Sequence, residues 1–229
     1  MEKNNNVYTD SGDLLEEKGR SFRSPSILQV GALFSLVVII FLYLGARLQR
    51  WDINFGLLMS EIGLILLPPV LFLVIFKFDV KKVLKLNNPG ILNLALILGI
   101  MIFSLPVIGV LNILNYWVIK QIFGSYEIFQ APISTESWGL LVGIFIIGVL
   151  AGVCEEVLFR GAIQSGLEKL GAVKSIFLTA FLFGLMHMDF QRFLGTFLIG
   201  LLLGYLTYKS NSIFCSIFAH FTNNSIAVC

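Results

Sequence analysis

Both histidines of the chain, His187 and His220, lie in strongly apolar stretches of sequence. Ionisable side chains are costly in such surroundings and usually mark function. A third apolar stretch carries the adjacent glutamates Glu155 and Glu156, followed by Arg160. Carboxylates and imidazoles can activate a water molecule, and imidazole or amide N–H groups can stabilise an oxyanion. The local sequences CEEVLFR, FGLMH and HFTNN therefore predict hydrolytic chemistry.

The two glutamates are expected to have different roles. Residues four apart share one helical face, so Glu156 can pair with Arg160, which leaves Glu156 ionised and mostly structural. Glu155 is rotated by about 100° and faces elsewhere. A lone carboxylate in a site of low dielectric constant suits a general base or acid. The competing interpretation is a water-exposed Glu-Glu-Arg cluster at the end of a helix.

His187 follows Phe183 by one helical turn. The functional interpretation is that His187 helps Glu155 to hold and activate a water molecule, or shares a metal with it. The alternative is a histidine at the membrane interface, where a helix ends.

His220 and Asn224 are also four residues apart and project from one helical face. Two convergent hydrogen-bond donors in a dry site form an oxyanion hole. Asn223 is expected to point about 100° away from them. The alternative is a polar patch at a contact between helices.

The composition is that of an integral membrane protein. The chain is 57% hydrophobic and 13% charged, about half the charged fraction of a soluble domain. Apolar runs of about 20 residues match the thickness of a bilayer core. The net charge of +2 does not suggest a nucleic-acid partner. The expected partners are the lipid bilayer and a peptide or protein substrate.

Because the backbone must satisfy its own hydrogen bonds in lipid, the apolar segments are predicted to be helices. The expected fold class is all-α: a polytopic membrane helical bundle of about seven transmembrane segments, with the site formed by the last four. The third segment is expected to continue along the interface from Leu111 to Phe123. The segments are predicted at about Ile27–Ala46, Phe55–Phe76, Ile91–Trp117, Trp138–Phe159 or beyond, Val173–Met188, Phe193–Tyr208 and Ile213–Val228.

The chain divides into a polar cytoplasmic tail (1–26), N-terminal transmembrane helices (27–132) and a catalytic transmembrane core (133–229), with a turn at Pro132–Ser137. The tail is expected to be flexible rather than a signal peptide. Each loop takes the number of the apolar segment that precedes it. The tail and the even-numbered loops together hold twelve Lys and Arg residues, and the odd-numbered loops hold four. This asymmetry predicts a cytoplasmic N-terminus and an external C-terminus, in the plasma membrane if the source is bacterial.

Two further expectations concern geometry and cysteine chemistry. A simple hairpin count separates Glu155 from His187, so the fifth and sixth segments must form a tilted hairpin that does not fully cross. The three cysteines, Cys154, Cys215 and Cys229, are interpreted as small apolar residues rather than as disulfide partners or zinc ligands.

The ordered set Glu-Glu-x-x-x-Arg, Phe-x-x-x-His and His-x-x-x-Asn, from about Trp138 to Asn224, resembles the CAAX-protease and bacteriocin-processing (CPBP, or Abi) family of intramembrane proteases. Each motif is weak alone, and the ordered set is specific. The resemblance implies a water-activating pair, Glu155 and His187, a supporting pair, Glu156 and Arg160, and an oxyanion-stabilising pair, His220 and Asn224.

Metal dependence is left open by the residues. The zinc pattern H-E-x-x-H is absent from the sequence. Glu155, His187 and His220 could still bind a divalent metal such as zinc, with a bound water as nucleophile. We expect no cofactor, because His220 with Asn224 fits an oxyanion role.

The expected function is therefore an endopeptidase of CAAX type that cleaves a peptide bond near the membrane surface. A second hypothesis is a non-catalytic immunity or peptide-binding scaffold protein of the same fold. A small-solute transporter is disfavoured, because the polar residues cluster in the last four segments.

Overall fold

The computed structural model describes residues 14–17, 20–125 and 137–228, which are almost entirely helical. The exception is a short antiparallel hairpin near the N-terminus, β1 (Leu14–Glu17) and β2 (Arg20–Arg23). One helical turn at Val80–Val83 joins the second and third long helices. The described residues form seven helices of 15 or more residues: α1 (Ile27–Trp51), α2 (Ile53–Ile75), α3 (Ile91–Phe123), α4 (Gly139–Leu170), α5 (Ala172–Met186), α6 (Phe190–Ser210) and α7 (Ile213–Val228).

The helices form an all-α polytopic membrane bundle, as predicted. Five of them, α1 to α4 and α6, are long and apolar enough to cross a membrane. Helices α5 and α7 are apolar but shorter, with 15 and 16 residues. Large apolar side chains such as Phe103 remain exposed on the outside of the bundle, as expected of a surface that faces lipid.

The full length of helix α4, whose end was predicted at Phe159 or beyond, explains the position of the site. It continues to Leu170, so Glu155 and Glu156 lie in its middle and not at a helix end. Gly171, with φ of 89°, then turns the chain back into α5. Fifteen residues at about 1.5 Å each make α5 about 22 Å long, less than the roughly 30 Å of a bilayer core. The short return brings His187 back to the level of Glu155. Helix α5 is short, as the expected partial hairpin requires, but α6, with 21 residues, is long and apolar enough to cross a membrane.

Helices α4 and α6 are joined by two buried side chains that reach across to backbone carbonyls. The Arg160 Nη2 group donates to the carbonyl of Gly200 over 3.1 Å, and Gln164 Nε2 donates to that of Gly204 over 3.0 Å. Gly200 favours this close approach, because a Cβ atom on it would make a tight contact of 3.0 Å with the Cα of Ala180 on α5. The small residues therefore let α6 pack closely against α4 and α5.

The tail, the third segment and the cysteines can also be compared with their predictions. The tail is not wholly irregular, because its residues 14–17 pair with 20–23 as strands. The third segment is one continuous helix through Pro106 to Phe123. Cys154 and Cys215 are buried free thiols, as interpreted. Residues 1–13, the turn before Ser137 and Cys229 lie outside the described residues.

Candidate active site

Glu156 lies at the centre of a buried polar network. Its Oε1 atom accepts hydrogen bonds from Arg160 Nη1 at 2.7 Å and from His220 Nδ1 at 2.9 Å. The Glu156 and Arg160 side chains are completely buried, and His220 is 3% exposed. The Glu156–Arg160 ion pair is the one that their spacing predicted. The bond to His220, from a helix 64 residues away in sequence, was not predicted.

This network determines which His220 nitrogen carries a proton. A carboxylate held ionised by Arg160 can only accept, so His220 Nδ1 must carry the hydrogen. In the neutral ring, Nε2 then has a lone pair and no hydrogen. His220 can therefore donate from Nε2 to an oxyanion only as an imidazolium, which the Glu156 carboxylate is placed to stabilise.

Glu155 faces the other way, as its position on the helix predicted. It lines a cavity of about 390 Å³ rather than the buried network. Its Oε2 atom is 4.0 Å from His220 Nε2, too far for a direct hydrogen bond. Among the described residues this buried oxygen has no hydrogen-bond partner.

His187 lies at the C-terminal end of α5, on the same cavity as Glu155. Its Nδ1 atom is 2.9 Å from the carbonyl oxygen of Phe183. A carbonyl can only accept, so Nδ1 carries the proton and the neutral ring presents an Nε2 lone pair.

Phe183 explains why a phenylalanine precedes His187 by one turn. Its ring contacts those of His187 and His220 edge to face, with centroids 5.0 and 5.7 Å away. The guanidinium of Arg160 lies 4.4 Å from the centroid of the same ring. Phe183 thus packs among three polar groups of the site and keeps their shared interior dry.

Asn224 is held by both ends of its amide. Its Nδ2 group donates to the carbonyl of Ile147 over 2.8 Å, and its Oδ1 atom accepts from Asn223 Nδ2 at 2.8 Å. An amide nitrogen carries two hydrogens, so one N–H remains for a ligand. The expectation that Asn223 points away was wrong, because Asn223 bonds to Asn224 and lines the same cavity.

The cavity has two adjoining chambers, which share His187, Arg192, His220, Asn223 and Asn224. The larger, of about 390 Å³, is the Glu155 chamber. The smaller, of about 180 Å³, is the polar chamber between α3, α6 and α7. Further lining residues are Gln49, Leu57, Glu61 and Glu155 in the larger chamber and Asn112, Tyr116, Gly195 and Thr196 in the smaller.

The four C-terminal segments supply every residue that the motifs predicted, but α1, α2 and α3 complete the cavity. The prediction that the last four segments form the site is corrected in this respect. Glu61 is the most important residue that was missed as a site residue, and its acidic side chain in an apolar segment was the signal that could have identified it.

The three residues that could bind a metal, Glu155, His187 and His220, all line the larger chamber. The described residues nevertheless contain no group of three or more His, Cys, Asp or Glu side chains placed to hold a metal ion. His220 Nδ1 is already bonded to Glu156, which leaves only Nε2 as a donor. The arrangement does not fit a preformed metal centre, so no step below passes through a metal.

The apolar bundle is that of an integral membrane protein, and its polar cavity brings carboxylate, imidazole and amide side chains together. Residues 137–226 match the family model described as Rce1-like: Type II CAAX prenyl endopeptidase Rce1-like. The match confirms, for this part of the chain, the resemblance to the CAAX-protease and bacteriocin-processing family. At the level of the family it indicates an intramembrane protease of CAAX type. No curated protein and no solved structure matches the chain.

Proposed function

We propose that the protein is an intramembrane endopeptidase that hydrolyses a peptide bond near the membrane surface with an activated water molecule. The observation that carries this proposal is the convergence of Glu155, His187, His220 and Asn224 on one cavity. These residues come from three helices, and each presents an atom that hydrolysis can use.

Glu155 and His187 act on the nucleophilic water. A water molecule has two hydrogens, and this pair offers two acceptors: the Glu155 carboxylate and His187 Nε2. Held by both, the water directs an oxygen lone pair at the substrate carbonyl. Glu155 takes one proton as the new C–O bond forms.

Asn224 and His220 act on the oxyanion that develops on the carbonyl oxygen. The second N–H of the Asn224 amide donates to it, and its orientation is fixed in advance by the bonds to Ile147 and Asn223. Protonated His220 donates from Nε2 while Glu156 stabilises the imidazolium through Nδ1. Donors that are already oriented cost little reorganisation during the reaction.

Collapse of the tetrahedral intermediate completes the hydrolysis. The carbonyl reforms, the C–N bond breaks, and the proton held by Glu155 passes to the leaving amine. The products are one new carboxylic acid and one new amine, and the pair returns to its starting protonation state.

A library of quenched peptides, presented to the purified protein in liposomes with and without chelator, tests this proposal. We expect cleavage by the wild type, no loss of cleavage with chelator, and turnover by Glu155→Gln that is about 10²- to 10⁴-fold lower. Peptides that bind to the protein without being cleaved would favour the peptide-binding scaffold instead. Stoichiometric metal in the wild type that is lost in His220→Ala would contradict the metal-free mechanism.

We also propose that the N-terminus is cytoplasmic. Contacts between the even-numbered loops support a shared side: Lys85 pairs with Glu168, and Ser212 Oγ donates to the Asn87 carbonyl over 2.6 Å. Reporter fusions after Lys85 and after Lys209 should both read cytoplasmic. An external reading at either position would contradict the orientation.

A further inference from the structure

Glu61 is an acidic residue of the cavity that the hydrolytic mechanism does not use. It lies on α2, in the π-helical turn Ser60–Leu66, and lines the Glu155 chamber. The family model covers residues 137–226, so the match says nothing about this position. Gln49 and Leu57 line the same chamber from α1 and α2.

In the part of the chain that the structure describes, few groups balance the negative charge of the Glu61 carboxylate. Its Oε2 atom is buried and makes no hydrogen bond there. Arg160 is engaged with Glu156 and the Gly200 carbonyl, outside this chamber. Arg192 is the one Lys or Arg among the described lining residues. It also lines the smaller chamber, and it interacts electrostatically with Asp189, Tyr116 and Glu155.

Two carboxylates on one cavity inside a membrane favour a ligand that brings a positive charge. Ionisable groups at this depth usually pair with a partner or mark a binding site. The chamber, at about 390 Å³, is within the usual range of small-ligand pockets, roughly 300–1,000 Å³. A cationic group has space to enter and a carboxylate oxygen to receive it.

We propose that Glu61 binds a cationic amine or guanidinium group of the peptide substrate in the Glu155 chamber. The group belongs to a Lys or Arg side chain near the scissile bond, or is the free amino terminus of a short peptide. Glu61 is thus a specificity-determining residue and takes no part in bond cleavage. This inference rests on the proposed peptidase function.

Matched peptides and the full chain in liposomes test the proposal. Lys, Arg, norleucine or Glu is placed in turn at each position beside the scissile bond, with free or acetylated amino termini. A hydrogen bond to a charged group predicts a preference of about 10- to 100-fold in kcat/KM for Lys over norleucine at one position, mainly through KM. A free-terminus preference without a Lys preference would identify the amino terminus as the bound group.

Variants at Glu61 decide whether that preference comes from its charge. Glu61→Gln should reduce the ratio of cationic to neutral peptide to about one, Glu61→Asp should retain a preference, and Glu61→Lys should favour the Glu peptide. The control Glu168→Gln, in the last turn of α4 and outside the lining of the chamber, should keep the wild-type ratio.

A wild type without charge preference, or a Glu61→Gln variant that keeps it, would overturn the proposal. Norleucine peptides separate this failure from that of the proposed function, since their cleavage requires only the hydrolytic residues. If no peptide is cleaved, binding of labelled peptides still tests Glu61: tighter binding of the cationic peptide to wild type than to Glu61→Gln supports its role, and equal binding overturns it.

Discussion

Adjacent glutamates on α4 lie in opposite surroundings. Glu156 is completely buried, and one of its oxygens binds both Arg160 and His220. Glu155 faces a cavity, and its buried Oε2 atom has no hydrogen-bond partner among the described residues. Glu156 Oε2 also has no partner among the described residues, but it is enclosed by protein, whereas an unsatisfied polar atom that faces a cavity can bind a ligand. The comparison separates a buried polar network that holds the helices together from a cavity that can bind and hydrolyse a substrate.

The buried network holds α4 and α6 together. Arg160 and Gln164, one turn apart, bind carbonyls that are themselves one turn apart on α6. Glu156 Oε2, Arg160 Nε and Gln164 Oε1 have no partner among the described residues, so the network is only partly satisfied. Breaking the hydrogen bonds that it does make is still costly in a low-dielectric interior. The cavity side depends on these bonds, because His220 takes its orientation from Glu156.

The largest effect is expected on the cavity side, from Glu155→Gln. Loss of a positioned general base should lower turnover by about 10²- to 10⁴-fold, with little change in Tm, because Glu155 Oε2 makes no hydrogen bond in the described structure. Peptide cleavage and thermal unfolding of the same preparation measure both. Wild-type turnover in this variant would remove Glu155 from the mechanism.

Glu156→Gln is the matched substitution on the network side. It leaves the buried Arg160 without its carboxylate, and breaking a buried ion pair in this way costs about 3–5 kcal/mol. Tm should therefore fall, and activity should fall with it as His220 loses its partner. Equal stability of the two Gln variants would contradict the division of roles between these neighbours.

Asn224→Ala removes one proposed oxyanion donor. Turnover should fall by about 10²- to 10³-fold with little change in KM, because the interaction forms in the transition state. Asn93→Ala, an exposed amide on α3, is the control and should leave kcat unchanged. A large rise in KM at constant kcat would instead make Asn224 a substrate-binding residue.

Gln164→Met should have the smallest effect. It removes one buried hydrogen bond to Gly204 while nearly conserving volume, so we expect a loss of about 0.5–1.5 kcal/mol. Kinetic constants should remain close to those of the wild type, since Gln164 does not line the cavity. A loss of activity comparable to that of Asn224→Ala would mean that changes in the buried network also affect catalysis in the cavity.

Local patterns predicted the elements well where apolar runs are clearly bounded. Helix α7 was predicted at Ile213–Val228 and begins and ends at those residues. The pairing of Glu156 with Arg160 also followed from spacing along one helix. The C-terminal end of α4 was left open, at Phe159 or beyond, because an apolar run does not show that charged residues such as Arg160 are buried by other helices.

Contacts between distant segments could not be predicted from spacing. The His220–Glu156 bond joins residues 64 positions apart, and it depends on how α7 packs against α4. Glu61 reaches the cavity from α2, outside the motifs that carried the resemblance. Asn223 turned toward the cavity because its amide bonds to Asn224, a local preference that an ideal helical angle does not include.

Isotope incorporation tests the central claim most directly. Purified wild type and Glu155→Gln, each in liposomes made in H₂¹⁸O, are given a cleavable peptide, and the products are analysed by mass spectrometry. The account predicts one ¹⁸O atom in the new carboxylate of each peptide cleaved by the wild type, and about 10²- to 10⁴-fold less of this product from Glu155→Gln in the same time. Equal amounts of labelled product from both proteins would contradict the assignment of this cavity as a glutamate-dependent hydrolytic site.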